Sequence, residues 1–263
     1  MSALEALRLH FKTLRMPTAS AVIEDLLAQA QRNDWGIEEF ALNLLEQEVE
    51  GRRVRRIERL QRASRLPAGK TMASLNQERL SLRLRRQLEQ LLDGSFVERA
   101  DNVLIFGLPG RGKTHLAAAI GHELVHTGRR VLFIPTFKLV DRLLRAKRDL
   151  ELERELRRLD RFDLLILDDI GYVQQGREEM EVLFTLLAER YERRSVMITS
   201  NLVFSEWGRI FKDPMTTAAA IDRVVHHSVI IEFGKEMPSV RAEHAAERNQ
   251  SATSDHKPVP VSS

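Results

Sequence analysis

The chain has 263 residues, 43% of them apolar and 30% charged, enough for one large domain beside a smaller one and too apolar for general disorder. It contains no cysteine, which excludes a disulfide framework, a thiolate metal site and a cysteine nucleophile. A net charge of +3 does not by itself call for nucleic acid, and no stretch reads as a signal peptide or a bilayer span, so a cytoplasmic chain without membrane contact is expected.

Leu4, Leu7, Phe11 and Leu14 recur at three- and four-residue steps and predict an amphipathic helix over 4–15. Pro17 should stop it, because the residue before proline avoids the helical region. Thr18 or Ser20 can then cap a second helix with Val22, Ile23, Leu26, Leu27 and Ala30 turned inward, broken by Asn33-Asp34. Ile37, Phe40, Leu44, Leu45 and Val49 mark a third helix. From Gly51 the composition changes: Arg52, Arg53, Arg55, Arg56, Arg59, Arg62 and Arg65 fall in one stretch with Glu58 as its only acid. Val54, Ile57 and Leu60 give that segment an apolar side and leave Arg52, Arg55, Arg56, Arg59 and Arg62 on the other. Such a stripe repels itself unless phosphates or acids neutralise it, so it reads as a nucleic-acid contact in preference to an ordinary solvated face. Leu66-Pro67-Ala68-Gly69 reads as a joint. These features predict a small all-α domain over 1–66, then a linker and helix over 67–95, with Leu80, Leu84, Leu88 and Leu91 on one face of residues 77–92.

The main domain is expected over 96–237. Val103-Leu104-Ile105-Phe106 suits a buried parallel strand. It runs into Gly107-Leu108-Pro109-Gly110-Arg111-Gly112-Lys113-Thr114, the phosphate-loop pattern of a glycine, four residues and Gly-Lys-Thr, and a helical pattern follows from His115. Glycines let successive N–H groups converge on one anion, and the helix N-terminus adds partial positive charge. Lys113 can reach the outer phosphates and the Thr114 hydroxyl can ligate magnesium. A second strand is Val131-Leu132-Phe133-Ile134. Residues 137–160 read as one charged helical stretch whose basic first half, with Lys138, Arg142 and Arg145, divides evenly between phosphate contact and a plain exposed face. Residues 162–169 form a buried strand ending in Asp168 and Asp169, where Asp168 can hold magnesium and Asp169 can orient a water. After a helix over 176–193, a fourth strand ends in Thr199-Ser200-Asn201; Asn201 suits a γ-phosphate contact, against the plainer reading of a turn asparagine. A helix over 218–227 carries Asp222-Arg223, and residues 228–233 give a fifth strand. His226-His227 reads as a helix-end pair and not a metal site, since adjacent histidines on a helix point apart, and Trp207 reads as a packing residue. Residues 238–263 have the composition of a disordered tail.

Taken together, residues 107–114, 164–171 (LLILDDIG), Thr199-Ser200-Asn201, Glu206-Trp207-Gly208 and Ile221-Asp222-Arg223 with Val224-Val225-His226-His227-Ser228 resemble the IstB-like ATP-binding proteins of insertion sequences. That family consists of AAA+ ATPases related to the helicase loader DnaC and the initiator DnaA. The likeness extends through Leu66-Pro67 and Lys70-Thr71 and covers residues 1–245. It implies a five-stranded parallel sheet between helices, an AAA+ phosphate-loop core preceded by the small α domain, and no C-terminal lid, because only a short polar stretch follows the fifth strand. It implies ATP with Mg2+ as ligands, bound by Gly107, Leu108, Pro109, Gly110, Arg111, Gly112, Lys113, Thr114 and His115. Thr114 and Asp168 would hold the metal, Asp169 the water, Asn201 would sense the γ-phosphate, and Arg223 would be an arginine finger toward a neighbouring copy, with a salt bridge to Asp222 or Glu232 as the alternative. Many AAA+ proteins carry glutamate where Asp169 stands, so slow, assembly-dependent hydrolysis is expected. The family's partners would be double-stranded DNA, a cognate transposase and further copies of the chain in a ring or spiral. The alternative is a DnaC-like helicase loader.

Overall fold

The structure, a computed structural model, describes residues 1–172, 176–202 and 224–234. Two compact units divide the chain, Met1–Arg62 and Ala63–Ser263. The first holds α1 (Ala3–Thr13), α2 (Pro17–Asn33) and most of α3 (Ile37–Ser64). Ser2 and Glu5 close a reciprocal capping box on α1. Pro17 does not merely end α1. It is the first residue of α2, a position where a missing N–H costs nothing, and neither Thr18 nor Ser20 is the cap. Instead the Thr18 and Ala19 N–H groups donate to Glu48 Oε2 at 2.8 and 3.0 Å, a carboxylate from α3 that satisfies the helix start and complements its dipole.

Gly51 does not interrupt α3, which runs 28 residues. It lets α3 cross the start of α2 closely: a Cβ there would stand 2.1 Å from Thr18 Oγ1. Phe11, Ala19, Ile23, Leu26 and Leu44 form the small core, with Phe40 and Trp35 against it. Ile37, Leu45 and Val49, expected inside, are exposed. Ile37 opens the helix, and Leu45 and Val49 sit one position round from the inward line of the partly buried Phe40 and the buried Leu44 and Glu48. Val54, read as part of an apolar side, is exposed too.

In the second unit, Ser81 caps α4 (Leu82–Leu92), shorter than expected because residues 77–79 form a separate 3-10 turn. There follow α5 (Ser95–Glu98), β1 (Asn102–Phe106), α6 (Lys113–His126), β2 (Val131–Pro135), α7 (Thr136–Arg148), α8 (Leu152–Leu159), β3 (Leu164–Asp168), α9 (Arg177–Arg190), β4 (Ser195–Ser200) and β5 (Ser228–Glu232). The strands make one five-stranded sheet, all parallel, in the order β2-β3-β4-β1-β5. Every residue of β1 and β4 is buried, as strands with helices on both sheet faces must be. The helical stretch expected over 137–160 is two helices, because Leu150 takes a left-handed φ of +57° between them.

Arg190 fastens one end of the sheet. It is 1% exposed and donates to the carbonyls of Leu159, Phe162 and Ser195 at 3.1, 2.9 and 3.0 Å. Burial lowers its pKa to about 10, and the charge of nearby Asp160 opposes that, so the group stays a cation at neutral pH. Among the described residues no helix is long and apolar enough to cross a membrane. Trp207, Asp222, Arg223 and residues 238–263 lie outside the described residues.

Candidate functional site

The order of the sheet sets β4 between β1 and β3. The loop after β1, the acids after β3 and the polar residues ending β4 therefore share one sheet edge, with neighbouring strands about 5 Å apart. Gly107 N donates to Ser200 O at 3.2 Å and ties the loop to β4. Only glycine fits position 107: φ is +154° and a Cβ would stand 2.7 Å from Phe233 Cβ. Gly112, with φ +97°, turns the chain into α6, and Lys113 and Thr114 open that helix. Lys113 is buried, and its Nζ donates to the carbonyls of Gly107 at 2.7 Å and Leu108 at 3.1 Å. The ammonium thus lies within the arc of the loop, beside the first N–H groups of α6, a setting that attracts an oxyanion.

Across β4, Asp168 Oδ1 accepts a 2.7 Å hydrogen bond from Thr199 Oγ1. The same hydroxyl oxygen accepts a 2.8 Å bond from Asp169 N. The Asp168 carbonyl accepts from the Thr136 hydroxyl at 3.0 Å. Thr199, 1% exposed, is thus the clamp that sets both acids, and Asp169 follows with a left-handed φ of +64°. In sequence Thr199 belongs to the Thr199-Ser200-Asn201 segment without a role of its own. A hydroxyl two residues before Asn201, on the strand next to the acids, was the available signal. Asn201 Oδ1 is buried without a hydrogen-bond partner among the described residues. It lies where a Cβ on Gly171 would come within 2.0 Å, so Gly171 makes room for it. A buried, unpaired amide oxygen at such an edge is a candidate ligand contact.

His115 stands apart from the other loop residues in where its ring goes: Nε2 lies 3.2 Å from Thr71 O and 3.0 Å from Ser74 Oγ. Two turns further along α6, His122 Nε2 lies 3.0 Å from Pro67 O, and Leu66 packs at Gly121. The stretch read as a joint is therefore laid along α6.

The expected DNA-contacting arginines divide. Arg52 and Arg55 both bond Glu48 Oε1, at 2.9 and 3.2 Å, and Arg55 also donates to Thr18 Oγ1 at 2.6 Å. Burial alone would push the Glu48 carboxyl up, but bonds from Arg52 and the Ala19 and Thr18 N–H groups hold it below the usual carboxylate range. Arg53 pairs with Glu50. The stripe is partly neutralised by acids of the preceding turn, which its own sequence window does not contain. Arg56, Arg59 and Arg62 are exposed, as Arg52 and Arg55 are, and of these three Arg62 approaches Glu58 at 3.9 Å. Arg8 and Lys12 of α1 and Arg15 of the turn after it, missed in the sequence, line an open cleft of about 880 Å³ with Arg52 and Arg55; the i, i+4 spacing of Arg8 and Lys12 was the signal. Lys138, Arg142 and Arg145 line a smaller cleft of about 430 Å³ in which Asp141, Asp149 and Glu155 balance their charge. Arg142 is paired with Glu155.

A family model described as IstB-like ATP binding protein matches residues 9–247. The insertion sequence ATP-binding protein y4iQ/y4nD/y4sD of Sinorhizobium fredii is 44% identical over 238 residues, 90% of this chain and 80% of that one. The insertion sequence IS21 ATP-binding protein of Pseudomonas aeruginosa is 40% identical over 223 residues, covering 84% and 83%. Among solved structures, DnaA from Aquifex aeolicus, bound to AMPPCP, superimposes with a TM-score of 0.54 at 18% identity, over 72% of this chain and 57% of that one. The crystal structure of DnaI gives 0.53 at 20%, over 65% and 96%. At that identity the two structures are similar in fold.

Proposed function

The chain belongs to the family of IstB-like ATP-binding proteins, and on that premise we propose that it is an ATP-dependent helper of transposition. It binds and slowly hydrolyses ATP, oligomerises as a ring or spiral on double-stranded DNA, deforms that DNA, and recruits and stimulates the transposase of its own insertion sequence, all in the cytoplasm. Residues 1–66 hold the DNA, 67–95 connect, and 96–237 form the ATPase core. One observation carries the reading: the loop around Lys113, the Thr199-clamped acids and Asn201 Oδ1, unpaired among the described residues, share a single sheet edge.

The roles follow from those positions. Residues 107–115 cradle the phosphates, with N–H donors from residues other than Gly107, whose N–H goes to Ser200 O, and Pro109, which has none, and Lys113 exchanges its two loop carbonyls for outer phosphate oxygens. Thr114 and Asp168 supply hard oxygen donors of the kind Mg2+ prefers, and Thr199 occupies only one Asp168 oxygen, so the pair fits that ion. When bound, Mg2+ neutralises charge on the terminal phosphates. Asp169 orients the attacking water and Asn201 contacts the γ-phosphate. Arg223 acts on the nucleotide of another copy. Arg56, Arg59 and Arg62, with Arg52, Arg55 and the α1 cleft beside them, meet DNA phosphates; Lys138, Arg142 and Arg145 are secondary contacts.

The test is imaging of the purified protein with ATP on linear duplex, paired with a salt titration of binding. Rings or spirals on DNA, and a log–log slope of about −0.9 per phosphate neutralised, are expected. Monomers with little duplex affinity at moderate salt, beside tight binding to a hexameric helicase, would replace this reading with a helicase loader.

A further inference from the structure

We propose that Glu192, His226 and His227 form a binding site for a borderline transition-metal ion of the Zn2+ class, at the end of the sheet away from the phosphate loop. Each of the three offers one ligand atom, and these atoms all lie within 4.8 Å of one another. Adjacent histidines in a helix point apart, but Val225 is the last helical residue and His226-His227 form a turn. Their rings meet at 4.2 Å in a T-shaped arrangement. Glu192 Oε1 lies 3.6 Å from His227 Nε2.

The backbone fixes both turns that supply these groups. Glu192 follows α9 with a left-handed φ of +55°. The His227 carbonyl accepts a 2.7 Å bond from Asn102 N, the first residue of β1. Tyr191 adds an outer contact, its hydroxyl 3.0 Å from His226 Nδ1. In the tautomer with the proton on Nδ1, that bond is donated to the phenol oxygen and Nε2 keeps its lone pair, the usual way a ligating imidazole is oriented. Bonds of 2.0–2.2 Å in a tetrahedron separate ligand atoms by about 3.4 Å. Rotation of three exposed side chains closes the remaining gap without moving the backbone. Two nitrogens and one carboxylate oxygen favour Zn2+, Ni2+ or Co2+ over the all-oxygen preference of Mg2+ and Ca2+. A fourth position stays open to water or to a donor from another molecule. An ion here would join the turn after α9 to the turn entering β5. The site shares no residue with the nucleotide edge, and its case is independent of the transposition reading.

The test uses the full untagged chain, freed of metal by chelation, with Zn2+ and then Ni2+ titrated calorimetrically and the bound metal counted after dialysis. One equivalent per chain is expected, with a rise in melting temperature. His227→Asn and Glu192→Gln should each weaken binding at least about tenfold, and Tyr191→Phe by up to about tenfold through the outer contact. His126→Asn, distant in sequence, should leave it unchanged. Glu192→Gln sits on an exposed turn, and its metal-free melting temperature reports whether the fold survives. Less than half an equivalent on the wild-type chain, or equal affinity in wild type and the folded Glu192→Gln and Tyr191→Phe variants, would overturn the assignment as adventitious surface binding.

Discussion

Replacing Thr199 by valine tests the clamp on the two acids with little change of shape. The substitution removes the bond to Asp168 Oδ1 and strands the Asp169 N–H, which now donates to Thr199 Oγ1. A hydrogen bond to a charged group contributes about 1.5–3 kcal/mol, and an unpaired buried N–H costs about 1–3 kcal/mol. The sum, allowing for relaxation, is a loss of about 2–5 kcal/mol in unfolding free energy, read by urea titration. Turnover should fall more than nucleotide binding, because the clamp sets where Asp168 and Asp169 point. A misplacement of about 1 Å can cost about a hundredfold, so kcat is expected to drop about 10- to 100-fold with ATP affinity altered much less. Thr199→Ser keeps the hydroxyl and should restore most turnover. A Thr199→Val chain with wild-type unfolding midpoint and wild-type kcat would refute the argument that this hydroxyl positions the acids.

Lys113→Ala should abolish ATP-dependent assembly in size-exclusion chromatography; ATP-stabilised oligomers from that variant would contradict its role at the phosphates. Asp169→Asn should assemble normally with ATP and hydrolyse it poorly, measured by phosphate release in the presence of duplex. Glu48→Gln should cost about 1–3 kcal/mol by weakening the bonds to Arg52, Arg55 and the start of α2. The same residue gives a pH signature. Its folded carboxyl titrates below the ordinary value of 4.5, so the stability it contributes is full above 4.5 and is lost as pH falls through the folded value. The acid limb of the wild-type stability curve, followed by urea unfolding, should therefore be steeper than that of Glu48→Gln.

The parts of the fold that could be read in the sequence are those whose cause is local. Strands buried on both faces appear as continuous apolar runs, and 103–106, 131–134 and 164–167 are such runs. The phosphate loop is a contiguous pattern, and Gly107 and Gly112 take the backbone angles it requires. The errors arise where the cause is distant. Pro17 does follow the end of α1, but the cap of α2 is not the local Thr18 or Ser20, because the carboxylate that satisfies that helix start comes from position 48. The break between α7 and α8 rests on one left-handed residue, Leu150, whose side chain carries no signal for it. The role of Thr199 is not legible in sequence because its partners, Asp168 and Asp169, are about thirty residues away and become neighbours only through the pairing of β3 with β4.

The arginines of α3 show the same limit acting on function. In sequence they form one series at helical spacing, with nothing to rank one above another. In three dimensions all five are exposed, but Arg52 and Arg55 close on Glu48, whose side chain is 3% exposed, whereas the acid near Arg62 is the exposed Glu58. Phosphate contacts work through charge with little dependence on base sequence, whereas a clamped guanidinium also holds the packing beneath it. Reversal to glutamate should therefore have two distinct outcomes. At Arg56, Arg59 and Arg62 together, duplex affinity should fall alike on all sequences and the salt slope should shrink by about one per lost phosphate contact, with the melting temperature nearly constant. At Arg52 and Arg55, the small domain itself should lose stability, because the Glu48 carboxylate then faces two further carboxylates and loosens its hold on α2. If the outer triple reversal unfolds the protein and leaves the DNA affinity of the remaining folded fraction intact, these arginines are structural and the contact to DNA lies elsewhere.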